Sequence, residues 1–342
     1  MASYPVTVYR WDDPGAPQLD NGKISSFFNI LHKCLVEGYG DKVPLGWTRS
    51  FYDPTNFKAA WRNNVAAGGS GGSAYFYSNT NTDVNNTVIR LTSCKSISEL
   101  GVVTGQGRLT AARFDMATNT GKWVLIGTSI GFYFYSFGSN INANGNGLVN
   151  NSENRPSFYA GDIFSVIPTD AGKFVMFHEI TSAGDNSNPQ SLRNLNNINN
   201  TAYSSGAAIT LWDADNFNSF QTYGYASVAM QSPGSGNIIA ANAHPLIFHN
   251  VSIASTASFN FPNQSSPTDR LGIPIRDSLI RPALRGVLPG LLVTYSNFGH
   301  GEILPLVKLQ AGVNYHGIPN PNSAGSCSAL IQASGDWYDP FN

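Results

Sequence analysis

A chain of 342 residues, 42% of them hydrophobic, is long enough to bury a sizeable core in one or two domains, three at most. Only 12% of residues are charged, about half the roughly 25% usual for soluble proteins, and the net charge is −1. No basic run occurs, so nucleic-acid binding is not expected as a primary role.

Asn, Ser, Thr and Gly supply the missing polarity. Such a surface carries few charges to desolvate when it meets another protein; it equally fits a loop-rich β protein. Cys34, Cys94 and Cys327 are widely spaced and odd in number, which argues against a disulfide framework and a cysteine zinc site. The opening MASYPVTVYRWDDPG has neither a basic nor an apolar targeting region, and no apolar run reaches the roughly 18 residues of a membrane span. A soluble, non-secreted product built in a reducing cytoplasm is expected.

Residues 4–11 alternate as a strand and stop at Asp12-Asp13-Pro14-Gly15. Asp20 or Asn21 is placed to cap a helix from about Gly22 to Val36. Its Phe27, Phe28, Leu31, Cys34 and Leu35 form one apolar stripe, and Gly38 and Gly40 end it. The period then changes to two. Strands are predicted at Trp47–Tyr52, Phe57–Arg62, Ala74–Ser78, Thr87–Leu91, Lys122–Ile126 and Gly131–Phe137, with Gly68–Gly72 as a flexible loop and Ser96–Val102 as a short helix. Asp162–Ile167 and Lys173–His178 read as a hairpin around Asp170-Ala171-Gly172.

Residues 138–155 and 184–206 are Asn/Gly/Ser-rich and read as surface insertions. Beyond them, Ala208–Trp212, Tyr223–Met230, Asn237–Ala241, Leu246–Ile253 and Ser328–Ile331 are β-like, and Trp337-Tyr338 offers an aromatic anchor for the tail. Between these lies LGIPIRDSLIRPALRGVLPGLL, Leu271 to Leu292. Its Pro and Gly spacing excludes a continuous helix and predicts an irregular, partly extended segment threaded against the body.

No catalytic constellation stands out. Gly127-Thr128-Ser129-Ile130-Gly131 matches G-x-S-x-G, but the strand-forming Phe132-Tyr133-Phe134-Tyr135 after it makes a hairpin turn the better reading. His178-Glu179 lacks a second histidine, and His244 and His249 fall on opposite faces of a strand. Asp12, Asp13, Asp162, Asp170, Asp213, Asp215 and Glu302 are candidates for a distant carboxylate pair, which only geometry can reveal. No metal or cofactor is expected. Aromatic residues on both faces of 132–135 and of Tyr75-Phe76-Tyr77 imply burial on both sides, one in the core and one under a neighbouring subunit; a carbohydrate platform is the alternative.

Four blocks, taken together and in order, resemble a group of tailed-bacteriophage virion structural proteins. They are Val6 to Asp53, KWVLIGTSIGFYFYSF (Lys122 to Phe137), GDIFSVIPTDAGKFVMF (Gly161 to Phe177) and RPALRGVLPGL (Arg281 to Leu291). CLVEGYGDKVPLGW, from Cys34, and RGVLPG, from Arg285, are the most specific parts. The resemblance implies a multi-copy particle protein, made in the host bacterial cytoplasm and located in the virion, in tail, neck, collar or capsid surface. It brings no catalytic residues.

The expected fold is α+β, mainly antiparallel β, with an N-terminal amphipathic helix and a β-rich C-terminal half. Residues 1–180 are expected to form the helix-containing domain, and 181–342 a β-rich region carrying the 184–206 insertion and the 271–292 segment. The expected function is non-enzymatic, a tail, neck or collar subunit making permanent contacts with itself and with other virion proteins. The alternatives are a capsid decoration protein, a receptor- or host-glycan-binding tail protein, and a glycan depolymerase. Candidate interface residues are Arg281, Arg285, Leu288, Pro289, Leu291, Tyr133 and Tyr135.

Overall fold

The computed structural model describes residues 2–20, 23–84, 88–106, 110–113, 119–138, 157–177, 208–212, 220–227, 243–249, 284–294, 306–308, 312–319 and 327–342. Strands β1 (Ser3–Pro5) and β2 (Thr7–Arg10) lead to helix α1 (Ile24–His32), which continues as a π-helical turn over Lys33–Glu37. Strands β3 (Thr48–Asp53), β4 (Lys58–Arg62), β5 (Ser73–Ser78), β6 (Val88–Glu99), β7 (Val102–Gln106) and β8 (Thr110–Arg113) follow. Next come β9 (Asn119–Gly127), β10 (Gly131–Gly138), β11 (Ser157–Asp162), the two-residue β12 (Phe164–Ser165) and β13 (Phe174–Phe177). The last group is β14 (Ala208–Trp212), β15 (Phe220–Ser227), β16 (Ala243–His249), β17 (Leu284–Thr294), β18 (Leu306–Lys308), β19 (Asn314–Pro319), β20 (Cys327–Gln332) and β21 (Asp336–Tyr338).

The fold is α+β with β dominant, and the described strand pairs are antiparallel. A central sheet has the order β13-β11-β10-β9-β2. An outer sheet runs β3-β4-β5-β6-β7, with β8 also on β6. A C-terminal sheet runs β14-β15-β16-β17-β20-β19-β18, with β12 on β17, and β1 pairs with β21 as a separate two-stranded clasp.

Helix α1 fills the space between the central and outer sheets. Its Phe27 ring meets Phe134 at 5.2 Å and Phe158 at 6.3 Å on the central side and Phe76 at 5.5 Å on the outer side. Phe28 meets Trp61 of β4 at 5.5 Å. Each such ring removed from water stabilises the fold by about 1.5–3 kcal/mol. The cap is not the one expected. Lys23 is the N-cap, with no side-chain bond, and the Ser25 amide and hydroxyl instead donate to Asp83, at 3.0 and 2.5 Å. That carboxylate faces the positive end of the helix, where an anion is favoured. At the other end, the Leu45 and Trp47 amides donate to the Cys34 and Leu35 carbonyls, satisfying acceptors that a helix end leaves open.

Three local expectations are corrected. Ser96–Val102 is not helical: β6 runs to Glu99 and turns through Leu100-Gly101 into β7, with Ile97 opposite Val103. The apolar spacing of Ile97, Leu100 and Val103 mimics a helix but comes from two strands facing one another. The predicted hairpin is shifted, because β13 pairs with β11 through Asp162–Phe174 while Phe164-Ser165 leaves the sheet to pair with Val287 and Gly286. The Gly68–Gly72 loop is pinned rather than free, as described below. Within the 271–292 segment, residues 284–292 form most of strand β17, extended but irregular as expected: it is bonded to β16 on one side and to β20 and β12 on the other, and its register against β16 shifts between Val287 and Leu292. Residues 271–283, the 184–206 insertion, Asn237–Ala241 and the 138–155 insertion beyond Gly138 lie outside the described residues.

Both faces of the central sheet are buried. One carries Leu125, Phe132, Phe134 and Phe158 against α1 and the outer sheet. The other carries Tyr133, Tyr135 and Tyr159 against Val287, Leu288, Leu291, Ile331 and Trp337. The cover on the second face is thus the chain's own C-terminal part, where the sequence suggested a neighbouring subunit. Residues before and after 180 share this cluster.

Candidate functional site

The RGVLPG run and the aromatic strand meet directly. The Tyr133 hydroxyl donates to the Pro289 carbonyl at 2.7 Å, and its ring meets Trp337 edge-on at 5.6 Å. Two glycines allow this docking. A Cβ on Gly286 would stand 2.1 Å from the Phe164 carbonyl oxygen, and one on Gly290, whose φ is +67°, would stand 2.2 Å from the Trp337 indole nitrogen. Tyr133, Tyr135, Arg285, Leu288, Pro289 and Leu291 are all buried within the chain, and Arg281 lies outside the described residues.

Arg285 is fully buried and pairs with the equally buried Asp170 at 2.7 Å. Asp170 also accepts from the Ser165 hydroxyl at 2.6 Å and the Gly172 amide at 2.8 Å. The pair fastens the 165–172 turn to β17. With its partners inside the fold, it is an architectural ion pair and not a recognition site.

The catalytic candidates resolve into structure. Gly127–Gly131 is the β9–β10 turn, closed by Thr128 donating to the Gly131 carbonyl at 2.8 Å, and the Ser129 hydroxyl donates to Ala67. It has no strand-to-helix elbow. Asp12 is bonded by Arg10 at 2.8 and 2.9 Å, and the guanidinium holds its carboxyl below the usual range. Asp13 accepts from the Arg10 amide and from Tyr39, with Lys42 at 3.6 Å. Lys42 also donates to the Val8 carbonyl, blunting the edge of β2. Burial pushes the Cys34 thiol up, and that of Cys94 to about 12, so both are inert. His244 and His249 stand on β16 opposite Val293 and Leu284. His178, Asp213, Asp215 and Glu302 lie outside the described residues. Among the described residues, no three His, Cys, Asp or Glu side chains are grouped to hold a metal.

One polar centre joins two sheets. Asp162, at the end of β11, is 2% exposed. Ser70 donates to both its oxygens, by its amide at 2.8 Å and its hydroxyl at 2.5 Å, and Lys173 stands 3.8 Å away. A small cleft beside it is lined by Tyr4, Phe164, Lys173 and Asp339. Burial raises the Asp162 pKa to about 6, against the lowering effect of Lys173 and the Ser70 bonds.

Among the described residues, a partly exposed apolar group lies on the face of the outer sheet turned away from α1. There Ala60, Tyr75 and Cys94 are buried beneath the partly exposed Phe51, Tyr77, Ile97, Leu100 and Val103. The Tyr75 and Tyr77 rings stack at 5.2 Å, and Phe51, Ala60, Tyr75 and Thr92 form one row across four strands. Tyr75-Phe76-Tyr77 carries the same two-faced signal in the sequence as 132–135. The periodicity of both segments is identical, and only the tertiary fold reveals which second face is covered.

Comparison of the chain with family models, with curated proteins and with solved structures finds no match.

Proposed function

We propose that the chain is a structural subunit of a tailed-bacteriophage particle, a tail, neck or collar component that assembles through the open face of the outer sheet. The observation that carries the reading is that face: a group of partly exposed aromatic and aliphatic side chains, Phe51, Tyr77, Ile97, Leu100 and Val103, on an antiparallel sheet. Desolvating it in a contact with a second copy gains hydrophobic free energy and costs few charges, as the 12% charged composition suggests. The resemblance of four sequence blocks to virion proteins supports the same reading. Those blocks fold into β2, α1, β3, β9, β10, the end of β11, β12, β13 and β17, most of them around the two faces of the central sheet.

The test has two parts. Analytical ultracentrifugation of the purified chain should show a homo-oligomer, its interface burying more than about 2,000 Å² per contact. Phe51→Ser with Tyr77→Ser should return it to monomer without loss of fold. Cryo-electron microscopy of the source particle should then place copies in a ring at the head–tail junction or along the tail. Density across the icosahedral shell would make it a decoration protein, and no density in the particle would end the virion reading. Binding on a glycan array that the same two substitutions abolish would favour the carbohydrate alternative.

A further inference from the structure

We infer that the open face of the outer sheet meets a second copy of the chain about a two-fold axis parallel to its strands, with Asp53 of each copy over Arg90 of the other. The inference rests on the subunit contact proposed above and adds its geometry. Across the sheet, Asp53 stands opposite Lys58, Lys58 opposite Tyr77 and Tyr77 opposite Arg90, one residue from each of β3, β4, β5 and β6. Their strand neighbours Ala59, Phe76, Ile89 and Leu91 point into the core beside α1, and Tyr52 meets Phe28 of the helix. The alternation of a strand therefore turns all four onto the open face. From one edge to the other the row reads acid, base, ring, base.

These charges are not consumed within the chain. Among the described residues, neither Lys58 nor Arg90 has a carboxylate within 4.0 Å, whereas Arg10, Lys23, Lys33, Lys42, Lys173 and Arg285 each have one or more. Asp53 is held by neutral donors, the Thr55 and Asn56 amides and the Asn56 side chain.

Two two-fold arrangements pack such faces with their strands aligned. An axis along the row sets every residue over its own counterpart, so Asp53 meets Asp53 and Arg90 meets Arg90, and like charges in contact repel. An axis parallel to the strands, midway between β4 and β5, reverses the row. Asp53 then lies over the partner's Arg90. Lys58 lies over the partner's Tyr77, where an ammonium above a ring is favourable. Symmetry makes each contact twice. The next row reverses likewise, setting Phe51 over the partner's Thr92 and Ala60 over the partner's Tyr75, a smaller residue against a larger one each time. Arg62 falls over the partner's Ser73, so no like charges meet in these rows. The contact closes on two copies, and a larger ring needs a second surface.

Cross-linking of the full chain tests the axis. Asp53→Cys and Arg90→Cys are co-expressed and treated with a short bismaleimide, which spans the roughly 10 Å between packed sheets. The mixture should give a cross-linked pair containing one of each variant, and either variant alone should give no more than wild type. Arg90→Glu should raise the dimer dissociation constant at least about tenfold in sedimentation, because it sets acid against Asp53 twice. Asp53→Asn, which keeps a side-chain acceptor for the turn, should weaken the wild-type dimer yet recover part of the loss in Arg90→Glu. Cross-links within Asp53→Cys alone, none in the mixture, or an unchanged dissociation constant in Arg90→Glu would overturn this geometry while leaving an oligomer in place. A wild-type chain that stays monomeric at every concentration would end the subunit contact itself.

Discussion

The two faces of the central sheet are built from the same strands with different aromatic chemistry. On β10 and β11, Phe132, Phe134 and Phe158 point to the helix, and Tyr133, Tyr135 and Tyr159 point to the C-terminal part. Phenylalanine packs without direction, and its rings meet at angles from 30° to 81° in one cluster. Tyrosine adds a hydroxyl that must be satisfied when buried, and here Tyr133 and Tyr159 donate to the backbone carbonyls of Pro289 and Asp162. Burial raises the pKa of both hydroxyls well above the usual range, keeping them as donors. One face supplies hydrophobic free energy, and the other fixes which segment lies on it and in what register.

The comparison can be broken most forcefully on the hydrocarbon side. Phe134→Ala should cost about 4 kcal/mol in guanidinium unfolding, through lost transfer energy and the cavity left between Phe27 and Phe158. On the directional side, Asp170→Ala should cost about 3 kcal/mol, because it strands a buried guanidinium. Arg285→Met combined with Asp170→Leu should recover most of that loss, and equal damage from the double variant would show that the pair contributes more than charge balance.

A smaller effect is set by pH. Asp162 has a folded pKa of about 6 against 3.8, so the folded state binds more protons than the unfolded one between these values. Its contribution to stability rises as pH falls through that window, by about 1.4 kcal/mol from pH 7.5 to pH 5. His32 opposes this: burial lowers its pKa, so folding loses ground as the unfolded histidine protonates. The difference between wild type and Asp162→Asn isolates the Asp162 part, and a difference of the opposite sign would refute it. Smallest of all, Tyr133→Phe should cost about 1 kcal/mol by leaving the Pro289 carbonyl unpaired, with the hydrophobic packing intact.

Local pattern made much of this architecture legible. The stripe of α1, the alternation in β4, β5 and β10, the 127–131 turn and the aromatic anchor at Trp337 all follow from spacing alone. What spacing does not carry is the identity of a distant partner. The helix cap comes from Asp83, 58 residues from Ser25. The glycine loop looks free until Asp162, 92 residues away, is brought to Ser70. The prolines and glycines of 284–292 do mark an irregular strand, but spacing does not show that Gly286 and Gly290 let Phe164 and Trp337 approach it. The open outer face was hidden by the same logic: a two-faced strand announces burial on both sides without saying what provides it.

The clasp has a mechanical meaning. Strands β1 and β21 run antiparallel with Ser3 opposite Tyr338, then Tyr4 opposite Trp337 and Pro5 opposite Asp336. Tension between Ser3 and Tyr338 therefore pulls at the same end of both strands and opens the pairs one at a time, as a zipper, instead of shearing them together. Only when the pull reaches Trp337, seated against Tyr133, does the load pass to the central sheet. Force applied along the chain meets its weakest element first, whereas force spread across the sheet faces is borne by every ladder at once.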